Sequence, residues 1–356
     1  MKILFVWTGV TSYMADCWRK LQQQEGVELK VVIEMVASGR DFDAAAVLQG
    51  LDYQIVNSAA ECDPAAFARP DVMFAVGWHS RVVRTFVEYL EWKSVPKVCC
   101  FDLPWRWKLR CIAAKFVLWP FLRKYSAAYV PGAACERYAR WLGFPLIYKG
   151  LFSINTEVFS PPSPEAPRTG FLYVGRYADE KRLDLLYAAY HLYRTQGGRW
   201  PLDLYGSGSL PPYPTTHLAV SAPVAHPFAQ PSAIPQIYSS HACLVLSSAF
   251  DPWPLVVLQA CANAMSVIIT DRCTNHYELV KENGLVVKFG DVEALAEAMH
   301  RAERGELQGS AGLPISRPYS TAQWVTRVLA LSQAVIFGCR GPVPTTTRRD
   351  KYGQEV

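Results

Sequence analysis

The sequence predicts an α/β protein built from two doubly wound domains, and three observations carry that prediction. At 356 residues, 51% of them hydrophobic, the chain is long enough to bury two cores, and one core of that size would be unusually large. Short runs rich in Val, Ile, Leu and Phe alternate with longer helical patterns, the signature of βαβ units in a parallel sheet. The alternation stops once, at Pro161-Pro162-Ser163-Pro164-Glu165-Ala166-Pro167, and then restarts.

In the first half the strand candidates are Lys2–Trp7, Leu29–Ile33, Val72–Val76, Val98–Phe101 and Ala128–Val130. The proline run can neither complete a sheet ladder nor continue a helix, so the first domain is assigned to residues 1–160 and the linker to the prolines. Strand candidates resume at Phe171–Val174, Leu202–Tyr205, Cys243–Leu246, Val267–Thr270 and Leu285–Val287, with helical patterns at Asp184–Tyr193 and Val292–Arg304. These define a second domain over residues 161–318. A last helical stretch, Thr321–Phe337, falls in a segment spanning 319–341, and the polar tail 342–356 is expected to be disordered.

Composition narrows the function classes. A net charge of +5 is too small to indicate nucleic-acid binding. The ten cysteines include no CxxC pair and no Cys/His cluster at zinc-like spacing, and most lie in apolar segments, which favours packed, reduced thiols and no metal. The opening apolar run is too short for a signal-peptide core and reads as a strand. No stretch of about 18 apolar residues is free of charge, so the chain is expected in the cytosol. The charge is unevenly placed: between Leu103 and Cys135 there is no acid, while Arg106, Lys108, Arg110, Lys115, Arg123 and Lys124 all occur.

In doubly wound sheets ligands bind outside the carboxyl ends of the strands, so chemistry is sought there. After Val174 comes Gly175-Arg176-Tyr177-Ala178-Asp179-Glu180-Lys181, which holds two cations between a strand end and a helix start. Fixed cations and backbone N–H donors there suit a diphosphate leaving group, although a lone Gly-Arg is also compatible with a solvated loop. After Tyr205, Gly206-Ser207-Gly208 either makes a turn or lets a base or phosphate lie against the backbone. A third strand runs into Ser247-Ser248-Ala249-Phe250-Asp251-Pro252-Trp253-Pro254-Leu255-Val256-Val257-Leu258-Gln259-Ala260.

Taken in order, FLYVGRYADEKRLDLL, this third stretch, and VIITDRCTNHYELVKENGLVVKFGDVEALAEAM resemble the donor-binding domain of family 4 retaining glycosyltransferases, the group 1 glycosyltransferases of GT-B fold. The resemblance spans about Gly170 to Met299; the first half matches in architecture only, through Gly9 after the first strand, Gly77-Trp78-His79-Ser80 and Gly132…Gly143-Phe144. It implies two Rossmann-like domains facing a cleft, a nucleotide-diphosphate sugar as donor, and no metal. It also implies that Thr321–Phe337 packs back on the first domain. By the resemblance Arg176 and Lys181 neutralise the diphosphate, Asp251 contacts the donor sugar, and Gln259 contacts the ribose. Gly9, Gly175, Gly206, Gly208 and the Leu255 and Val256 amides line the donor. Asp102 stands near a polar position beside the reacting sugar, or it caps a helix beginning near Pro104. His79 reads as a strand-end histidine rather than as a catalyst.

The chain departs from the family's Glu-x7-Glu pattern. Asp251 replaces the first acid, retracting the carboxylate by about 1.5 Å, and Gln259 replaces the second, giving up a charge-assisted bond for a neutral amide. Pro254 and Ala264 stand where the family has glycines, and Pro254 has no N–H to offer.

Trp105, Leu109, Ile112, Phe116 and Trp119 recur at spacings of four and three, predicting a basic amphipathic helix over Trp105–Trp119. That helix is either an ordinary core element or a peripheral contact, through Leu103–Lys124, with the inner face of an anionic membrane. The activity that the family resemblance implies is retaining glycosyl transfer to a cell-surface glycan precursor or a lipid-linked acceptor. The alternatives are a non-catalytic GT-B partner subunit, favoured by Gln259 and Pro254, and a nucleotide-sugar epimerase.

Overall fold

A computed structural model of the chain describes residues 1–35, 43–106, 109–161, 168–209 and 222–338. Of the proline-rich segment expected as a linker only Pro161 lies within them, and the tail 342–356 lies outside them. The chain divides into two compact units, the first taking in residues 1–35, 44–153 and 321–338 and the second residues 154–320, within the described ranges.

The first unit is built on a seven-stranded parallel sheet of β1 (Lys2–Thr8), β2 (Glu28–Glu34), β3 (Tyr53–Val56), β4 (Val72–Val76), β5 (Lys97–Cys100), β6 (Ala127–Val130) and β7 (Ile147–Lys149), in the order β3-β2-β1-β4-β5-β6-β7. Its inner strands read as continuous apolar runs because helices cover both faces, and Ile3 to Trp7, Val72 to Ala75 and Val98 to Cys100 are all buried. The edge strands β3 and β7, which the apolar pattern did not predict, each bury one residue, Val56 and Tyr148. Phe5 stacks on Phe74 at 4.8 Å and meets Trp18 and Trp324 at 5.9 Å. Trp324 comes from the helix Thr321–Phe337, and its buried indole N–H donates to the Leu151 carbonyl at 2.8 Å. That helix belongs to the first unit and packs on the helix Ser12–Gln22.

A lysine is sunk in this core. Lys97, 1% exposed, donates to the carbonyls of Trp92 at 2.6 Å and Val95 at 2.9 Å. Burial pushes its ammonium down to about 8, because the charged form has lost its water.

The helix expected over Trp105–Trp119 is not continuous. The structure has a helix Leu109–Val117 and a separate turn Trp119–Leu122, and Trp105 precedes both; Lys108 lies outside the described residues. Pro120 explains the break, since its ring would clash one turn back and its missing N–H could not continue the ladder.

The second unit carries a six-stranded parallel sheet: β8 (Phe171–Val174), β9 (Leu202–Tyr205), β10 (Val224–His226), β11 (Cys243–Leu246), β12 (Ser266–Thr270) and β13 (Gly284–Val287), ordered β10-β9-β8-β11-β12-β13. The short edge strand β10 has no fully buried residue, so it too left no apolar signal. The chain runs outward from β8 through β9 to β10, then returns to place β11 on the other side of β8. The β8/β11 boundary is thus the topological switch point, where crossover connections diverge and leave a crevice at the strand ends. In the first sheet the corresponding boundary is β1/β4.

Candidate active site

Two loops leave the carboxyl ends of β8 and β11 at the switch point of the second unit. The first carries Gly175 to Lys181, and the second carries Ser247 to Pro254. They meet through an ion pair: Lys181 Nζ lies 2.5 Å from Asp251 Oδ2, with the side chains only 17% and 9% exposed.

Each partner stands on a fixed backbone. The Asp251 N–H donates to the Arg272 carbonyl and its carbonyl accepts from the Thr274 N–H, both at 3.1 Å, forming a parallel bridge to Cys273. The buried Cys273 thiol is pushed up to about 12, first by burial and then by the Asp251 charge. The Asn275 amide donates to the Pro254 carbonyl at 2.9 Å, Thr274 Oγ1 donates to the Pro252 carbonyl, and Trp253 packs against Tyr319 at 5.5 Å. On the other side, the Ala249 N–H donates to the Glu180 carbonyl at 2.8 Å. Ser247 Oγ lies 3.0 Å from the Lys181 carbonyl and 2.8 Å from that of Arg182. Arg182 is left-handed at φ +49°.

Arg176 is placed differently from Lys181. Its guanidinium is 70% exposed and pairs with Glu180 at 2.7 Å. Gly175 leads directly into it, held by its N–H to the Tyr205 carbonyl at 3.1 Å. The glycines after β9 have a backbone reason of their own. A Cβ on Gly206 would run into the Gly175 carbonyl oxygen, and one on Gly208 into that of Tyr177. The Tyr177 N–H donates to the Ser207 carbonyl at 2.8 Å, so this loop braces the segment that carries Arg176.

Downstream of Asp251 the helix Leu255–Ala262 starts at Pro254 as its N-cap, without a side-chain cap. The first-turn amides of Leu255 and Val256 therefore have no intrahelical acceptor, and the helix dipole presents its positive end there. Leu255, Val256 and Gln259 form the half-buried face of this helix, while Val257, Leu258, Ala260, Cys261 and Ala262 are buried. The spacing of three and four residues sets Gln259 one turn behind the free amides. At the far end Ala264, where a glycine was expected from the family pattern, is left-handed at φ +52°. The Arg168 guanidinium holds that end, donating to the Asn263 carbonyl at 2.8 Å and the Ala264 carbonyl at 2.7 Å.

Two of the sequence-predicted residues belong to the first unit. Gly9, after β1, is left-handed at φ +72° and donates to the Glu34 carbonyl at 2.9 Å. Asp102, after β5, is half-buried, and its carbonyl accepts from the Cys135 thiol at 3.2 Å. The next helix starts at Leu109, so Asp102 does not cap a helix near Pro104. His79 is exposed beside Trp78, and Ser80 caps the following helix instead, accepting from the Val83 N–H at 2.9 Å. Among the described residues no group of three His, Cys, Asp or Glu side chains is arranged to hold a metal ion.

Sequence reasoning brought out Lys181 and Asp251 but missed what orients them. Ser247, Thr274 and Asn275 act through hydrogen bonds to carbonyls, and nothing in their spacing announces those partners. The left-handed Arg182 gives no sequence signal, because the chain uses no glycine there.

Residues 168–303 match the family model described as "Glycosyl transferases group 1". Among curated proteins no sequence matches this chain significantly. Solved structures similar in fold include a lipopolysaccharide outer core galactosyltransferase, WaaB, at 16% identity and a TM-score of 0.66, covering 95% of this chain and 99% of that one. A glycosyltransferase from Rickettsia africae is similar at 12% identity and a TM-score of 0.69, covering 95% and 99%. HepE of Anabaena, solved with UDP and glucose, is similar at 13% identity and a TM-score of 0.68, covering 94% and 99%. The paired parallel sheets are those of the GT-B glycosyltransferases.

Proposed function

We propose that the chain, whose residues 168–303 match the group 1 glycosyltransferase model and whose fold is similar to that of solved GT-B glycosyltransferases, is a retaining glycosyltransferase. In this reading it moves a sugar from a nucleotide-diphosphate donor to a cell-surface glycan precursor or a lipid-linked acceptor. The observation that carries the proposal is the Lys181–Asp251 pair, nearly buried at the β8/β11 switch point.

Departure of a nucleoside diphosphate places negative charge on phosphate oxygens, and a fixed ammonium stabilises that charge more in the transition state than in the ground state. Lys181 supplies it, with its position set by Asp251, whose second carboxylate oxygen serves the donor sugar's hydroxyls. Arg176, more exposed, exchanges Glu180 for the outer phosphate. The Leu255 and Val256 amides, at the positive end of their helix, add donors to the same charge. Gln259 binds the ribose through its amide. The acceptor hydroxyl attacks on the face from which the diphosphate leaves and passes its proton to the departing oxygen, so catalysis is mainly positioning and charge stabilisation. Gly9 is read as a further donor-binding position and Asp102 as a polar group beside the reacting sugar. No metal is needed, since cations and a helix N-terminus take its place.

The acceptor is met at the inner face of the membrane, a reading supported by exposed Leu109, Phe116, Val117 and Trp119 among the cations of the 103–124 segment. Pro254 and Gln259 favour a second reading, a non-catalytic relative that keeps the nucleotide site. One experiment separates the two: purified protein is warmed with a panel of nucleotide sugars, with UDP as the first nucleotide probe, while slow donor hydrolysis is followed. Hydrolysis together with thermal stabilisation supports the enzyme. Stabilisation by nucleotide without turnover, with or without acceptor extracts, supports the relative. Neither response defeats both.

A further inference from the structure

A backbone outlier sits one residue beyond the proposed catalytic lysine. Arg182 has φ +49° and ψ +52°, a left-handed conformation that is strained for a non-glycine residue because Cβ crowds the following carbonyl oxygen. Such strain persists only where the surroundings over-determine it, and it gathers at functional sites. Here the surroundings are specific. Ser247, fully buried at the end of β11, directs its single hydroxyl proton at two adjacent carbonyls, Arg182 at 2.8 Å and Lys181 at 3.0 Å.

Those carbonyls lie on either side of the Arg182 Cα, so they point together at one hydroxyl only for the φ and ψ that residue 182 adopts. In the ordinary right-handed conformation residue 182 would turn its carbonyl away from β11. The Lys181 carbonyl and Cα would turn with it, and the ammonium would leave Asp251. The Arg182 side chain makes a bidentate pair with Asp184 at 2.8 and 2.7 Å, but that pair is more exposed and acts beyond the turn. Backbone bonds also hold residue 182, its N–H donating to the Asp179 carbonyl at 3.2 Å and its carbonyl accepting from the Leu185 N–H at 3.1 Å and the Leu186 N–H at 3.4 Å; the Ser247 hydroxyl is the buried side-chain group that ties this turn to β11.

We propose that Ser247 is a positioning residue for glycosyl transfer, acting through Lys181 by holding residue 182 left-handed so that the ammonium is fixed against Asp251. The inference rests on Lys181 being the cation that meets the leaving diphosphate.

Three full-length variants test it against the parent. Ser247→Ala removes the hydroxyl; Ser247→Ala/Arg182→Gly also removes the strain, because glycine adopts the left-handed turn freely; Arg182→Gly alone is the reference for the pair. Ser247→Ala is expected to lower kcat for donor turnover by about 10–100-fold, less than the roughly 10²–10³-fold that removing such a donor outright costs, while the donor KM moves less than about threefold. The double variant is expected to recover to within about threefold of Arg182→Gly. A residue that only supports the fold would lower thermal stability in both variants and show no such rescue. Parental kcat in Ser247→Ala, or no recovery in the double variant, overturns the proposal.

Lys181→Ala run in parallel keeps the two failures apart. Parental turnover there defeats the donor-site reading itself, whereas a crippled Lys181→Ala beside a healthy Ser247→Ala defeats only the role of Ser247. A crystal structure of Ser247→Ala reads the same point without substrate: residue 182 should leave the left-handed region and the Lys181–Asp251 pair should open. An unchanged turn and ion pair would overturn the inference even in a protein that turns over no donor.

Discussion

Lys181 and Asp251 are 70 residues apart in sequence, yet their side chains meet at 2.5 Å because β8 and β11 are neighbours in the sheet. Arg176, five residues before Lys181, pairs instead with Glu180 in the open. The two cations of one loop therefore respond differently to removal. An exposed pair contributes about 0–1 kcal/mol, so Arg176→Ala is expected to leave the unfolding midpoint almost unchanged. Lys181→Ala leaves a nearly buried carboxylate without its partner and should cost about 1–3 kcal/mol. Both should slow donor turnover by about 100-fold or more if both meet the diphosphate. Urea unfolding and donor hydrolysis on the same preparations check this, and an Arg176→Ala enzyme at parental rate would remove Arg176 from the site.

The left-handed Ala264 makes a stability prediction of opposite sign. Alanine pays for φ +52° where glycine would not, so Ala264→Gly is expected to stabilise the second unit by up to about 1 kcal/mol, offset by the greater freedom glycine gains on unfolding. Arg168→Ala, which frees the Asn263 and Ala264 carbonyls, should destabilise by about 1–3 kcal/mol. A destabilised Ala264→Gly would mean that the turn is not strained.

How far the sequence could be read depended on burial. The inner strands β4, β8 and β11 match their predicted bounds residue for residue, because burial on both faces writes a continuous apolar run; β9, matched as closely, alternates buried and half-buried residues instead. Edge strands β3, β7 and β10 bury one face or less and wrote none. The helix Thr321–Phe337 was legible from its apolar pattern, whereas the break at Leu118 depended on Pro120, whose effect was outweighed by an attractive periodicity. In the site, Lys181 and Asp251 were legible from motif and strand ends, but Ser247 and Arg182 were not. A hydroxyl that bonds two carbonyls and a non-glycine residue at positive φ depend on the folded backbone, which single residue identities do not encode.

Buried thiols give stability a pH limit. Burial raises the thiols of Cys17, Cys99, Cys100 and Cys243, and it pushes those of Cys261 and Cys273 up to about 12, against 9.0 when free. Above pH 9 the unfolded chain loses these protons and the folded chain keeps them, so the stability is complete below pH 9 and is lost as pH rises towards 12, at about 1.4 kcal/mol per unit for each thiol. Lys97 runs the other way: its folded value of about 8 lies below the free 10.5, so its penalty is full below pH 8 and fades by pH 10.5. Urea unfolding of the reduced protein at pH 7.5, 9 and 10.5 should show a net fall. The stability of Lys97→Met relative to the parent should drop by about 2–3 kcal/mol over the same range; a constant difference would show that Lys97 does not titrate there.

The surface of the helix Leu109–Val117 and the turn after it yields the last prediction. Leu109, Phe116, Val117 and Trp119 are 85%, 71%, 74% and 46% exposed, while Cys111, Ala114 and Leu118 pack against the core of the first unit. The outward face therefore differs from the stripe read in the sequence, since Trp105 and Ile112 are half-buried and Trp105 lies 5.0 Å from Trp141. Cations border the face: Lys115 stands over the Trp141 ring at 4.9 Å and Arg123 over the Trp119 ring at 5.9 Å. A contiguous apolar face on a water-exposed helix marks a contact surface. Bordering lysine and arginine suit an anionic bilayer, each cation contributing about 1 kcal/mol near the surface. Among the described residues no helix is long and apolar enough to cross a membrane, so the contact to be tested is with a vesicle surface. Vesicles containing phosphatidylglycerol should co-sediment the protein at low salt and release much of it at high salt, while phosphatidylcholine vesicles should not bind it. Phe116→Gln/Val117→Gln should weaken binding by about 10²–10⁴-fold, as expected from losing two inserted side chains worth about 1.5–3 kcal/mol each, and Lys115→Glu/Arg123→Glu should abolish the salt-sensitive part. Both variants should keep the parental unfolding midpoint, because neither pair is buried in the core. Equal sedimentation of parent and variants would show that this face does not meet the membrane and would point to a soluble acceptor.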